Sequence, residues 1–243
     1  MKTLIHKLLY RLLPLKSYLR VMSRLLFLWE RMGWGRHSEA LEYLYHLKEL
    51  VQEGDYCLDI GANLGYYTRP LSRLVGPQGR VYAVEPMAPT REVLSYNVRR
   101  CANVEICPYA LGEERRTVVM ANDSARETGY LGTGRNEVHL KREGCEVEHA
   151  AEMRRGSELF GSLPRLDFIK CDVEGYEWMI MQEMRPLLER YRPTVLIESG
   201  GENRPRIIAL FEELGYSGYT LEQGKEIPLS VESGKDIIFR IKQ

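Results

Sequence analysis

The segment from Cys57 to Thr68 has the composition of a ligand-binding turn. Its sequence, CLDIGANLGYYT, runs from an apolar strand pattern containing Asp59 into a turn with Gly61 and Gly65, and a helical pattern follows. A strand–turn–helix unit of this kind brings the backbone close to a nucleotide-like ligand at the end of the first strand of an α/β sheet. We therefore predict a nucleotide-type site at this turn.

The turn departs from the dinucleotide fingerprint G-x-G-x-x-G, because Asn63 occupies the position of the second glycine. A pyrophosphate needs close backbone approach at that position, whereas a ligand without a pyrophosphate needs it less. S-adenosylmethionine is such a ligand, and the turn favours it. A nicotinamide-dependent oxidoreductase is the alternative within the same fold class, and Asn63 disfavours it.

A second acid strengthens the interpretation. Residues 81–86, VYAVEP, form the next strand pattern, and Glu85 follows Gly61 by 24 residues (85 − 61). This is near the spacing of the acid that binds ribose hydroxyls in nucleotide-binding α/β folds. Pro86 ends the strand and fixes Glu85 at its tip.

Residues 166–175, LDFIKCDVEG, carry the other dense group of chemically active side chains. An apolar strand delivers Lys170, Asp172 and Glu174 to its carboxyl end, and the later strand 194–198 ends in Glu198. Burying several acids and a lysine near one crevice costs free energy unless they form ion pairs or take part in the chemistry. Asp172 is our first candidate for a general base or acceptor anchor, with Glu174 and Glu198 next.

Two alternatives stay open at this second group. Lys170 could form an ion pair that only shapes the strand end. A divalent metal bound by Asp172 and Glu198 could lower the pKa of an acceptor hydroxyl. The histidines show no metal-ligand spacing, and we expect no resident metal.

Composition narrows the class of protein. The 243-residue chain has a formal net charge of zero, which gives no overall attraction to nucleic acid. Its five cysteines are odd in number and contain no C-x-x-C pair. We therefore expect reduced thiols and a cytoplasmic location.

Residues 1–36 differ from the rest, with eight basic residues against Glu30 alone. Apolar residues recur at helical spacing, Pro14 divides two helices, and charges interrupt every span that could cross a membrane. This basic amphipathic extension could pack on its own domain, join a second copy, or lie on an anionic membrane. All cofactor motifs begin after Gly54, so we expect cofactor binding without it.

Strand and helix patterns alternate over 37–243, which predicts a doubly wound, mostly parallel α/β sheet. Ser38 is predicted to cap a helix over 38–50. The predicted strands cover 56–60, 81–85, 104–109, 166–171, 194–198, 217–221 and 235–241, and the helices 65–75, 88–101, 175–190 and 203–214.

An insertion at about 113–164 interrupts this alternation. Residues 122–136 are polar and rich in glycine, and we predict a loop there, followed by a hairpin that pairs 138–142 with 145–149. We expect substrate selection in this insertion, with a structural flap of no chemical role as the alternative.

The chain resembles FkbM-type methyltransferases, which are class I enzymes dependent on S-adenosylmethionine. The resemblance covers about residues 54–200 and rests on LDIGANLGYYT (58–68), Glu85-Pro86, Asn97, Ala110-Leu111-Gly112 and IKCDVEG (169–175). It departs at 150–159, AAEMRRGSEL, where the family often has a Thr-Leu-Asp-like segment. The resemblance implies a seven-stranded Rossmann-like sheet with an antiparallel last strand, preceded here by the N-terminal helices.

The resemblance also implies methyl transfer to oxygen, on a sugar, glycolipid, polysaccharide or natural-product acceptor. From their positions at the strand ends, we predict catalytic roles among Lys170, Asp172, Glu174 and Glu198. We predict cofactor contacts, likewise by position, for Asp59, Gly61, Asn63, Gly65, Tyr67, Thr68, Glu85, Pro86, Ala110, Leu111 and Asp172. A catalytically silent partner protein with the same fold is the alternative from a non-enzyme class.

Overall fold

The computed structural model describes residues 2–36, 38, 41–122, 137–139, 147–230 and 233–242. The helices are α1 (Lys2–Leu12), α2 (Leu15–Arg31), α3 (Glu42–Leu50), α4 (Thr68–Val75), α5 (Ala88–Val98), α6 (Gly156–Phe160), α7 (Glu177–Glu183), α8 (Arg185–Tyr191) and α9 (Asn203–Glu213). The strands are β1 (Tyr56–Ile60), β2 (Arg80–Val84), β3 (Val104–Cys107), β4 (Tyr109–Leu111), β5 (Arg116–Asn122), β6 (Glu137–His139), β7 (Val147–Arg154), β8 (Phe168–Cys171), β9 (Thr194–Glu198), β10 (Tyr216–Glu222), β11 (Lys225–Pro228) and β12 (Asp236–Ile241).

The main sheet has the strand order β11-β10-β12-β9-β8-β1-β2-β3. Strands β3, β2, β1, β8 and β9 are parallel, and β12 runs antiparallel to both β9 and β10. The order reverses between β1 and β8, so ligands are expected outside the carboxyl ends of these strands. This confirms the predicted doubly wound sheet, to which β11 adds an eighth strand at the edge.

Apolar side chains bury both faces of the central strands. In β1, Leu58 and Ile60 belong to the core beneath α7, α8 and α9, while Cys57 packs on the other face with α3 and α4. Because helices cover both faces of the sheet, the side chains on both sides of each central strand are buried. The strands are therefore nearly continuous apolar runs, as is usual in parallel sheets. The register places Asp59 beside Lys170, so polar groups of the two strands meet inside the sheet.

The helices predicted over 65–75 and 88–101 are shortened to Thr68–Val75 and Ala88–Val98, and two other helices differ in their start or are broken. Ser38 does not cap α3, because its hydroxyl donates to the Gly35 carbonyl and the helix begins at Glu42. The predicted helix 175–190 is two helices, α7 and α8, since Pro186 lies at the start of the second. Proline is favoured in a first helical turn but cannot continue a helix.

The insertion forms a second sheet of order β4-β7-β5-β6. Strand β5 lies between β6 and β7, with Val119 opposite both His139 and Ala150. The predicted hairpin is therefore wrong for its described residues, because 138–139 and 148–149 pair with β5 rather than with each other. Residues 123–136 and 140–146, which include the predicted loop and turn, lie outside the described residues.

The N-terminal helices pack on the α/β domain. Tyr18 and Leu19 of α2 are buried against Leu64 and against Val93 of α5. Arg20 and Arg24 of the same helix lie over the ring of Tyr96. Within the described ranges, no helix is both long and apolar enough to cross a bilayer.

Candidate active site

An apolar cleft opens at the carboxyl ends of β1, β2 and β8. Strand tips of the main sheet form its floor, and β4, β5 and the turn after β8 form its walls. Its lining residues are Ile60, Gly61, Asn63, Val84, Glu85, Pro86, Tyr109, Ala110, Leu111, Met120, Asp172, Val173, Glu174, Tyr176 and Ile180. The cleft lies where the reversal of strand order predicts a ligand.

Gly61 lets two chain segments meet beneath this cleft. Its φ is +78°, and a Cβ atom built there would lie 1.9 Å from the carbonyl oxygen of Asp172. A real side chain cannot occupy that space, because the contact is far shorter than van der Waals distance. The glycine therefore permits the tips of β1 and β8 to close on each other at the ligand.

The turn after Gly61 is fixed by backbone contacts with β2. The amides of Gly61 and Ala62 both donate to the Val84 carbonyl, at 3.1 and 2.9 Å. Asn63 then takes a left-handed conformation, with φ of 52°. Asparagine tolerates this region better than most residues, which explains how it replaces a glycine here.

Asn63 and Met87 hold the Glu85 side chain in place. The Asn63 amide donates to one carboxylate oxygen at 2.8 Å, and the Met87 amide donates to the other at 2.9 Å. Glu85 is 3% exposed, and burial raises its pKa to about 7 despite these two hydrogen bonds. A carboxylate with both oxygens oriented at the tip of β2 is placed to accept hydrogen bonds from two ribose hydroxyls.

Asp59 lies behind the turn rather than in the cleft. It is fully buried and accepts a hydrogen bond from the Thr68 hydroxyl at 2.6 Å. Its other carboxylate oxygen is buried with no hydrogen-bond partner among the described residues. Burial raises the pKa of Asp59, although the charge of Lys170 opposes this. Asp59 and Thr68 thus tie the tip of β1 to α4.

A second cavity also borders Asp172. Asn63 and Asp172 line both this cavity and the apolar cleft. Its remaining lining residues are Leu26, Leu41, Glu42, Tyr43, Leu44, Tyr66, Tyr67, Glu198, Thr220, Leu221, Gly234, Lys235 and Asp236. A ligand group that lies in the apolar cleft and points toward Asp172 therefore also points toward the second cavity.

Asp172 lies at the centre of a charged network. Lys170, which is 5% exposed, donates to its carboxylate at 3.0 Å, and the Lys170 ammonium lies 5.0 Å from the ring centre of Tyr67. Burial opposes ionisation of Asp172, but the charge and hydrogen bond of Lys170 outweigh it and lower the pKa of Asp172. Lys170 therefore keeps Asp172 as a carboxylate.

Glu198 and Asp236 respond in the opposite direction. Burial and the nearby charge of Asp172 raise the pKa of Glu198, which also shares a hydrogen bond with Asp172. Burial, followed by the charges of Glu198 and Asp172, raises the pKa of Asp236 to about 7. The second cavity therefore holds carboxyl groups with opposite protonation tendencies, which is the arrangement expected where protons are exchanged.

Glu174 belongs to the apolar cleft rather than the second cavity. It lies in the turn after β8 in a left-handed conformation, with φ of 47°. Burial and the charges of Asp172 and Glu198 raise its pKa to about 7. The neutral form of Glu174 is thus accessible near pH 7, and its position suits a cofactor contact better than a proton exchange with an acceptor.

The structure separates the predicted site residues into three groups. Gly61, Asn63, Glu85, Pro86, Ala110, Leu111, Asp172 and Glu174 line the apolar cleft, while Tyr67 and Glu198 line the second cavity. Asp59, Gly65, Thr68 and Lys170 line neither cavity and support the residues that do.

Sequence reasoning missed Tyr109, Met120, Tyr176 and Asp236. Tyr109 precedes the recognised Ala110-Leu111 pair, and Asp236 begins an edge strand next to the tip of β9. Only the pairing of Asp236 with Glu198 brings that acid into the second cavity. No set of three or more potential ligands is placed to hold a metal ion within the described ranges.

The N-terminal helices contact the cofactor turn and so pack on their own domain, one of the arrangements expected for this extension. Leu64, within the turn, is fully buried beneath Tyr18 and Leu19, and Leu26 lines the second cavity. Asn97 of α5 also holds this turn, because its side-chain amide donates to the Leu64 carbonyl at 2.8 Å. Removal of residues 1–35 would therefore expose Leu64 and open one wall of the second cavity.

The sheet order, the glycine turn after β1 and the buried acid at the tip of β2 define a class I methyltransferase domain, whose cofactor is S-adenosylmethionine. A family model, "Methyltransferase FkbM domain", matches residues 59–217. The chain therefore belongs to the FkbM methyltransferase family, which confirms the resemblance drawn from the sequence.

Proteins similar to the chain include one of solved structure and one matched by sequence. The solved structure of methyltransferase FkbM from Methylobacillus flagellatus KT superposes with a TM-score of 0.52 at 15% identity, covering 78% of this chain and 44% of the other, a likeness of fold alone. A protein-L-isoaspartate O-methyltransferase of Triticum aestivum is 35% identical over 66 residues, which are 27% of each protein. The chain thus spans less than half of either relative.

Proposed function

We propose that the protein transfers a methyl group from S-adenosylmethionine to a hydroxyl of a sugar, glycolipid, polysaccharide or natural-product acceptor. The observation that carries this proposal is the meeting of two cavities at Asn63 and Asp172. The apolar cleft has the turn and the acid that suit the cofactor, and the charged second cavity is left for the acceptor. Methyl transfer requires this in-line placement of donor and acceptor.

The charged network supplies a route for the proton. The acceptor oxygen forms a bond to the methyl carbon, the carbon–sulfur bond breaks, and neutral S-adenosylhomocysteine leaves. The hydroxyl proton passes to Asp172, the carboxylate that Lys170 keeps ionised, and Glu198 is hydrogen-bonded to share it. The positive charge lost at sulfur is matched by the proton gained at the carboxyl pair.

The walls of the second cavity favour a neutral, polyhydroxylated acceptor. Glu42, Glu198 and Asp236 can accept hydrogen bonds from hydroxyls, and tyrosine rings provide flat apolar contact. These carboxyl groups outnumber Lys235, the cation within the described lining, which disfavours a phosphate or carboxylate at the reacting end.

The test is a product assay with methyl-labelled S-adenosylmethionine and a panel of neutral sugars, glycolipids and hydroxylated natural products. We expect a methyl ether, identified by mass spectrometry and nuclear magnetic resonance. A product methylated on nitrogen, sulfur or carboxylate oxygen would overturn the proposed chemistry. Binding of S-adenosylhomocysteine without transfer to any acceptor would favour a silent partner protein, and binding of NAD in its place would favour an oxidoreductase.

We also propose that the enzyme works in the reducing cytoplasm. Cys57, Cys101, Cys107 and Cys171 are free thiols, and three of them are buried in the domain. Burial raises the pKa of Cys107 to about 12, which keeps this thiol protonated and unreactive. Mass spectrometry of the protein isolated without reductant should show free thiols, whereas a native disulfide would contradict the assignment.

A further inference from the structure

The N-terminal helices leave a group of large apolar side chains in solvent. Among the described residues, every exposed large apolar side chain lies in this part of the chain: Leu8, Leu12, Leu25, Leu28, Met32 and Trp34. Leu12 is 70% exposed and Trp34 57% exposed. We call these six residues the N-terminal surface. Such a concentration on one segment indicates a binding surface, because scattered single exposures are the ordinary case.

The opposite side of the same helices is already occupied. Tyr18 and Leu19 cover the cofactor turn, and Leu26 lines the second cavity. Leu25, Leu28 and Met32 recur at spacings of three and four residues and therefore share one face of α2. The helix thus has two apolar faces, and only one of them finds a partner within the described residues.

Positive charge surrounds the N-terminal surface. Lys7, Arg11 and Arg31 are exposed, and no carboxylate in the described residues forms an ion pair with them. Glu30 is the only acid among residues 1–36, and it pairs with Arg73 of α4. Apolar side chains set among free basic residues match the headgroup region of an anionic bilayer, where tryptophan is also favoured.

We propose that the N-terminal surface docks the enzyme on an anionic lipid bilayer. A second copy of the chain fits less well, because a symmetric contact would bring the two basic surfaces together. Docking would place the second cavity about one helix diameter, about 10 Å, from the lipid, since α2 separates them. An acceptor carried in the membrane could then reach Asp172, a consequence that rests on the proposed function, whereas the docking itself does not.

Vesicle flotation of the full chain tests the docking without any assay of activity. We expect binding to vesicles that contain phosphatidylglycerol or phosphatidylserine, weak binding to pure phosphatidylcholine, and release as salt rises. Reversal of two charges, Lys7→Glu with Arg11→Glu, should weaken binding at least about twentyfold, because each basic residue near the surface contributes about fivefold. Leu12→Ser with Leu28→Ser should weaken vesicle binding at low and at high salt alike.

The matched control is Arg190→Glu with Arg206→Glu, which reverses two exposed charges on α8 and α9, away from α4 and α5, on which α2 packs. This variant should bind vesicles like the unaltered protein. Equal binding of the two charge-reversed variants would overturn the proposal. So would no binding to anionic vesicles at low salt, or a dimer in sedimentation that Leu12→Ser with Leu28→Ser dissociates. S-adenosylhomocysteine binding by every variant confirms that each one is folded.

Discussion

The apolar cleft and the second cavity share Asp172 but are built differently. The cleft is lined mainly by apolar residues, its buried acid Glu85 is held by backbone amides, and Asp172 and Glu174 also line it. The second cavity has side-chain charges of both signs and draws its walls from helices and strands far apart in the chain. A local turn can serve one cofactor in many proteins, whereas an acceptor pocket is specific to each of them.

The largest loss of stability is expected from a substitution at Gly61, beneath the apolar cleft. Gly61→Ala places a Cβ atom against the Asp172 carbonyl at a positive φ and forces the tips of β1 and β8 apart. We expect a loss of more than about 3 kcal/mol in the free energy of unfolding, measured by chemical denaturation.

Gly175→Ala is the matched control for Gly61→Ala, since Gly175 has a φ of +86° but no atom within 4 Å of the added Cβ. The control should lose only about 1–2 kcal/mol, the cost of left-handed backbone in a residue with a side chain. Equal losses in the two variants would show that the close contact between the strand tips contributes nothing to the free energy of unfolding.

Glu85→Ala should weaken cofactor binding without altering any residue of the second cavity. The variant removes the carboxylate at the tip of β2, a loss of about 1.5–3 kcal/mol for hydrogen bonds to a charged group. Calorimetry at a pH above 8 should therefore give an affinity for S-adenosylhomocysteine at least tenfold weaker. Glu105→Ala, which removes an exposed acid from β3, is the control and should bind normally. Unchanged affinity in folded Glu85→Ala would remove the ribose assignment.

The raised pKa of Glu85, about 7, predicts a pH dependence of cofactor affinity. Ribose hydroxyls donate to the ionised carboxylate, so affinity for S-adenosylhomocysteine should rise about tenfold between about pH 6 and pH 8. The effect on the apoprotein has the opposite sign. Burial favours neutral Glu85, so its stabilisation is complete below its ordinary pKa of 4.5 and is lost as the pH rises through about 7.

Calorimetry and denaturation across this pH range check both signs. Glu85→Ala should show neither the rise in affinity nor the matching fall in apoprotein stability. A wild-type affinity that stays flat or falls between pH 6 and pH 8 would contradict the assignment of Glu85.

The smallest effect is expected where α5 supports the turn. Asn97→Ala removes the hydrogen bond to the buried Leu64 carbonyl and should lower the free energy of unfolding by about 1–2 kcal/mol. Ser23→Ala is the comparison, because the Ser23 hydroxyl lies 3.5 Å from the Asn97 side chain and also donates to the Arg20 carbonyl. A Ser23→Ala loss as large as that of Asn97→Ala would show that α2, rather than Asn97, holds the turn.

The sequence predicted the cleft better than the second cavity for a physical reason. Gly61, Asn63 and Glu85 lie in two neighbouring strand–turn units, and parallel pairing of β1 with β2 is enough to bring them together. Asp236 reaches Glu198 only through the antiparallel pairing of an edge strand, which no local pattern specifies. Leu26 reaches the second cavity only through packing of α2 on the domain.

The insertion shows a second limit of sequence reasoning. Strand-like patterns on both sides of Glu143-Gly144 favoured a local hairpin, but β5 pairs with both segments and separates them. Residues 116–122 carry the third strand of that sheet, which a polar composition around them concealed. Non-local pairing of this kind is decided by tertiary packing rather than by the turn.

The central claim is that Asp172 lies between a bound cofactor and an acceptor and takes the proton. The direct test is to measure turnover and S-adenosylhomocysteine affinity together for Asp172→Asn, on an acceptor verified with the unaltered enzyme. Glu202→Gln, an exposed acid that lines neither cavity, is the control. We predict a fall in turnover of roughly 10²- to 10⁴-fold for Asp172→Asn, with cofactor affinity within a few-fold of normal. Normal turnover in the folded Asp172→Asn protein would contradict the account.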